Sequence, residues 1–131
     1  MQSEKLRTAE KPEKSIERLH ANQRMSQIVV HNGTVYIAGQ VPKESKGKSI
    51  AEQATEVLNA IDKYLAEAGS DKSHMLSASV WLSDMKYFEE FNKVWDFWVP
   101  QGNAPARACV EAKLVLPEYH VEVAVVAATK E

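Results

Sequence analysis

The sequence predicts a two-layer α+β sandwich: an antiparallel-rich sheet with two helices on one face. Three observations carry this. Asn32-Gly33 separates two β-branched runs, SQIVV and TVYIAGQ, which is the strongest short-range hairpin signal. Two segments, beginning near residues 50 and 88, repeat apolar residues at helical spacing. Residues 75–82 and the last third of the chain alternate at the two-residue period of strands.

The first 14 residues, MQSEKLRTAEKPEK, are polar, mixed in charge and broken by Pro12. They read as a flexible N-terminal extension ahead of a single domain over 15–131. A short strand is expected over Ile16–His20, then the hairpin of Ser26–Val30 with Thr34–Gln40. PKESKGK is a surface loop by composition. Ser49 and Glu52 form a capping box, and Ile50, Ala54, Val57, Leu58, Ile61 and Leu65 follow as one apolar stripe. Gly69 ends that helix. From Met75 to Leu82, Leu76, Ala78, Val80 and Leu82 are expected on one face, with Ser77, Ser79 and Trp81 on the other. Asp84 caps a second helix with the stripe Phe88, Phe91, Trp95 and Trp98, stopped by Pro100 and Gly102. Two long strands, Ala106–Leu116 and Tyr119–Ala128, are expected to pair as a hairpin around Pro117-Glu118.

Composition excludes several classes of function. The chain has 131 residues, 44% apolar and 26% charged, with a formal charge of −2. That describes a globular domain without the basic stripe of a nucleic-acid or anionic-membrane binder. A single cysteine, Cys109, allows neither an intrachain disulfide nor a metal cluster. His120 and Glu122 share a strand face but lack further ligands, so no metal is expected. The N-terminus lacks the apolar core of a signal peptide, and no apolar run is long enough to span a membrane. The cytoplasm is the default compartment.

The last two strands do not suit a lone chain. Ala106, Ala108, Val110, Ala112, Leu114 and Leu116 make one apolar face, expected against the helices, with Arg107, Cys109, Glu111 and Lys113 opposite. The final strand is largely apolar on both faces, apart from Glu122. Such a strand wants burial on both sides, and two helices cover only one, so a subunit interface follows. In the expected hairpin register Lys113 faces Glu122. Arg107 is then about 20 Å from Glu122, and the two meet only across an interface.

PARACVEAKLVLP followed by VEV, together with SQIVVHNGTVYIAGQV, EQATEVLNAIDKYLAEAGS and VWLSDMKYFEEFNKVW, resembles the YjgF/RidA family of imine deaminases and L-PSP endoribonucleases. The resemblance runs from about Ser26 to Ala128. It implies a chorismate-mutase-like fold and a homotrimer with ligand clefts between subunits. The implied activity is hydrolysis of 2-imino acids to 2-keto acids and ammonium, without cofactor or metal. It places the carboxylate-binding arginine at Arg107, the neighbouring cysteine at Cys109, the water-placing acid at Glu122 and the second-strand glycine at Gly39. Where the family commonly has tyrosine before the first hairpin strand, Met25 stands here. Ala38 stands where it has a serine before the glycine, and Ala108 where it has one after the arginine. These departures mark a divergent branch.

Each of these residues also has a plainer reading. Arg107 could be a structural ion pair with Glu111 or Glu122, and Glu122 a partner for Lys113. Cys109 has no histidine placed to activate it and reads as a packed thiol. Trp81, Trp95 and Trp98 read as core. The functional hypotheses are therefore an imine/enamine deaminase, a binding module for a small carboxylate such as a keto acid, or a ribonuclease. The weakly acidic charge disfavours the last.

Overall fold

The computed structural model describes residues 15–130; the N-terminal extension expected over residues 1–14 lies outside the described residues. In chain order the elements are β1 (Glu17–Ala21), β2 (Ser26–His31), β3 (Thr34–Gln40), α1 (Ile50–Glu67), β4 (Met75–Leu82), α2 (Phe88–Trp98), β5 (Ala106–Glu111) and β6 (Val121–Ala128). The strands form one sheet in the order β1-β2-β3-β6-β4-β5. All neighbours are antiparallel except β4 and β5. Both helices lie on one face, giving the α+β sandwich that the pattern predicts.

The local signals act where the residues place them. Asn32 and Gly33 adopt φ of 50° and 80°, the left-handed pair that a two-residue hairpin turn needs. Ser49 caps α1 in a capping box: its hydroxyl accepts from the Glu52 N–H at 3.1 Å, and the Glu52 carboxylate accepts from the Ser49 N–H at 3.3 Å. Gly69, at φ 78°, lies one residue beyond the C-cap Ala68. The stripe of α1 is fully buried from Ile50 to Leu65. Each such aliphatic side chain contributes about 1.5–3 kcal/mol on burial. Asp84 caps a short 3-10 turn, Met85–Tyr87, which leads into α2; it does not cap the α-helix itself.

The expected C-terminal hairpin does not form. The segment Ala106–Leu116 is a strand only to Glu111, and β5 pairs in parallel with β4 at the sheet edge. β4 lies between β5 and β6. The reason is burial. Val121, Val123, Val125 and Ala127 of β6 are at most 2% exposed, and the strand most apolar on both faces takes a central place, hydrogen-bonded on both edges to β3 and β4. The charged β5 is left on the rim. The register that set Lys113 opposite Glu122 is therefore wrong: Glu122 faces Trp81. The 20 Å separation drawn from that register falls with it.

The two faces of β5 are also the reverse of the expectation. Arg107 is in register with Ala78 and Cys109 with Val80, and both partners are buried on the helix face. Ala106, Ala108 and Val110 are exposed on the face without helices. In β4 a register shift between Met75 and Ser77 turns Met75 inward and leaves Leu76 53% exposed, against the expected alternation. The helix-free face thus carries many partly or fully exposed apolar residues, interrupted by Arg18, Ser77 and Ser79. Val29, Tyr36 and Val126 lie in one cross-strand row, with Ala124 and Trp81 beside it.

Candidate functional site

The candidate residues fall into two groups on opposite faces of the sheet. Arg107 and Cys109 project from β5 toward the helices. Ala38, Gly39 and Glu122 lie on the open face. Met25 stands 40% exposed just before β2, at the end of a turn in which the Asn22 side chain accepts from the N–H groups of Arg24 and Met25 at 2.7 and 2.9 Å.

The guanidinium of Arg107 packs over two aromatic rings of α2. Its central carbon is 5.1 Å from the Trp95 ring centre and 5.9 Å from that of Phe91. One terminal nitrogen, Nη1, is buried and has no hydrogen-bond partner. An unmade hydrogen bond on a buried polar group costs about 1–3 kcal/mol, more on a charged one, so the arrangement is incomplete as it stands. Neither ion pair suggested by the sequence forms within the chain. Glu111 instead accepts from the Met85 N–H at 3.0 Å, and Glu122 points to the other face of the sheet.

Glu122 is a carboxylate on a face that mixes apolar residues with Ser77, Ser79 and Arg18. Burial raises its pKa above the ordinary glutamate value, with no hydrogen bond or cation among the described residues to offset it. Its carboxylate lies directly against the Gly39 α-carbon. A β-carbon at that position would fall on the carboxyl group, so the carboxylate in this position uses the space that glycine leaves. The β3–β6 register shifts between Ile37 and Gln40, and this bulge brings Ala38 and Gly39 opposite the carboxylate. Bulges of this kind re-aim side chains beside functional sites. Gln40 fixes the bulge, its amide donating to the Ala38 carbonyl at 2.9 Å and to Gln27 at 2.8 Å.

Cys109 is a partly buried thiol. Burial raises its pKa, and the positive charge of Arg107 offsets this only in part. It is therefore held as a thiol, unsuited to nucleophilic attack. His120 is engaged elsewhere: its Nδ1 is 3.0 Å from the Ser83 hydroxyl and its ring is 4.8 Å from that of Tyr87. Among the described residues, no three side chains of His, Cys, Asp and Glu gather as a metal set. The sequence reading missed the pairing of Arg107 with Trp95 and Phe91, which it assigned to the core alone. The spacing of the α2 stripe placed both rings on the sheet-facing side, and only the face of β5 was misjudged.

Residues 15–129 match the sequence pattern of a family described as endoribonuclease L-PSP. The chain belongs to the YjgF/RutC family. It is 43% identical to a RutC family protein of Haemophilus influenzae over 113 residues, 86% of this chain and 97% of that one. It is equally identical to the RutC family protein YoaB of Escherichia coli over 114 residues, 87% of this chain and 98% of that one. Among solved structures, a YjgF family member from Neisseria meningitidis superposes with a TM-score of 0.88 at 42% identity, covering 92% of this chain and 99% of that one. Yeast Mmf1 superposes at 0.79 with 29% identity, covering 88% of this chain and all of that one. The matched region of this YjgF/RutC chain contains both groups of candidate residues. No described helix is long and apolar enough to cross a membrane.

Proposed function

We propose that this protein is a 2-imino acid or enamine deaminase that works as a homotrimer, with each site shared by two copies. Arg107 of one copy holds the substrate carboxylate, and Glu122 of its neighbour positions the hydrolytic water. One observation carries the reading: a buried guanidinium nitrogen with no hydrogen-bond partner among the described residues. A carboxylate matches a guanidinium with two parallel, charge-assisted hydrogen bonds.

The chemistry needs little more. Water adds to the imine carbon, its proton passing to a base, and ammonia then leaves from the tetrahedral intermediate. Glu122, with its raised pKa, suits the task of accepting that proton and returning it to the departing nitrogen. Gly39 lets the carboxylate lie close to the backbone, and Cys109 packs beside the ligand. Neither step requires a cofactor or metal. The open sheet face, with Tyr36 48% and Val110 50% exposed, supplies an apolar surface for the neighbouring copies.

A second reading is a binding protein that captures a small keto acid without turnover. Met25 and Ala38 favour it, because two hydroxyl groups common in this family's deaminases are missing. Release of ammonia and keto acid from freshly generated imino acid tests the main reading. The Arg107→Ala variant is expected to lose about a thousandfold in kcat/KM, the effect of removing two charge-assisted hydrogen bonds. A rate unchanged in that variant removes the mechanism. Keto-acid-dependent thermal stabilisation without product would select the binding protein.

A further inference from the structure

We propose that Trp95 is a positioning residue for Arg107: its indole face carries the guanidinium and uses none of the in-plane donors that a ligand carboxylate needs. This rests on the carboxylate role given to Arg107 above. A cation within about 6 Å of an aromatic ring centre is attracted to the ring face, tryptophan being the strongest partner. Arg107 meets that condition at Trp95, at 5.1 Å, and more weakly at Phe91, at 5.9 Å. The donors of a guanidinium all lie in its plane. A ring over its face therefore holds the group without using any donor.

The geometry differs from ordinary core packing. An arginine buried for stability alone ends on a carboxylate or carbonyl, whereas Nη1 of Arg107 is buried and unpaired. The platform is itself braced. Trp95 is 5% exposed and lies 6.1 Å from Phe91 and 5.4 Å from Trp98, ring centre to ring centre. The Trp98 indole N–H donates to Asp62 of α1 at 2.9 Å, and the Lys72 ammonium stands 5.2 Å over the Trp98 ring. Both helices thus fix the surface on which Arg107 rests. A side chain with many rotamers on an edge strand is reduced to one presentation, which is how a pocket is preorganised for a charged ligand.

The test measures affinity for pyruvate and for its neutral amide by calorimetry on the full chain. The ratio of the two affinities reports recognition of the carboxylate. It is insensitive to the fraction of protein that is folded, because both are measured on one preparation. Trp95→Leu is expected to lower the wild-type preference for the acid about tenfold and Trp95→Phe about threefold, the order of their cation–π strength. An unchanged preference in both overturns the inference. If Trp95→Leu does not fold, Trp95→Phe decides alone, and a wild-type preference in it is the overturning result. Arg107→Ala separates the two levels. If it binds pyruvate as the wild type does, the carboxylate role of Arg107 fails first. If it loses the preference while the Trp95 variants keep theirs, only the role of Trp95 fails.

Discussion

The two faces of β6 differ in one respect that organises the molecule. Val121, Val123, Val125 and Ala127 are sealed beneath the helices, none more than 2% exposed. Glu122, Ala124, Val126 and Ala128 alternate with them and remain only half-covered. The helix face is completed by the chain's own residues. Beyond Glu122 the open face of this strand is almost as apolar, yet none of the described residues covers it fully. The two functional groups follow the same division: Arg107 projects on the finished side and Glu122 on the unfinished one. A sheet face left partly apolar beside a carboxylate supports the packing against a second copy proposed above.

Neighbouring valines give the sharpest way to break this comparison. Val125→Asp places an unpaired charge in the core at a cost on the order of 5 kcal/mol, comparable to the whole stability of a small domain. No folded protein is expected, as read by circular dichroism. Val126→Asp, one residue on, is expected to leave the chain folded but dispersed into single copies, as read by sedimentation, and without deaminase activity. Equal behaviour of the two variants would remove the distinction between the faces.

Glu122→Gln has a smaller effect with a defined sign. Its kcat is expected to fall about a hundredfold, the usual contribution of a positioned base. Stability should move the other way. Burial raises the pKa of Glu122 in the folded chain, so the ionised carboxylate costs stability at neutral pH. That cost disappears once the pH falls below the ordinary glutamate value of about 4.3. In dilute solution, where copies are separate, the glutamine variant should melt above the wild type at pH 7. The difference should close as the pH approaches 4. A variant that melts lower at pH 7 would show that Glu122 serves structure.

Much of this architecture was legible in the residues, because the signals are local. Asn32-Gly33 dictates its turn, Ser49 and Glu52 their cap, and the α1 stripe its buried face. The failure came where a non-local choice decided. Nothing local in Ala106–Leu116 says whether it pairs with the next strand or with β4. The answer lies in the competition for the central place, which the valine-rich β6 wins. That error carried the orientation of Arg107 with it, since a strand read on the wrong face reverses every side chain. The pairing of Gly39 with Glu122 was not visible either, because the bulge between Ile37 and Gln40 leaves no mark in the alternation. Arg107 and Glu122 are kept apart within one chain not by distance along a hairpin, as the residues suggested, but by lying on opposite sides of the sheet.

Complementation tests the shared site most directly. Arg107→Ala and Glu122→Gln chains are each expected to be nearly inactive alone. When the two are unfolded together and refolded as a mixture, a site that takes its arginine from one copy and its carboxylate from the next is intact about one time in four. Recovery of about a quarter of wild-type ammonia release is the predicted result. A mixture no more active than its two components would contradict a site built from two copies.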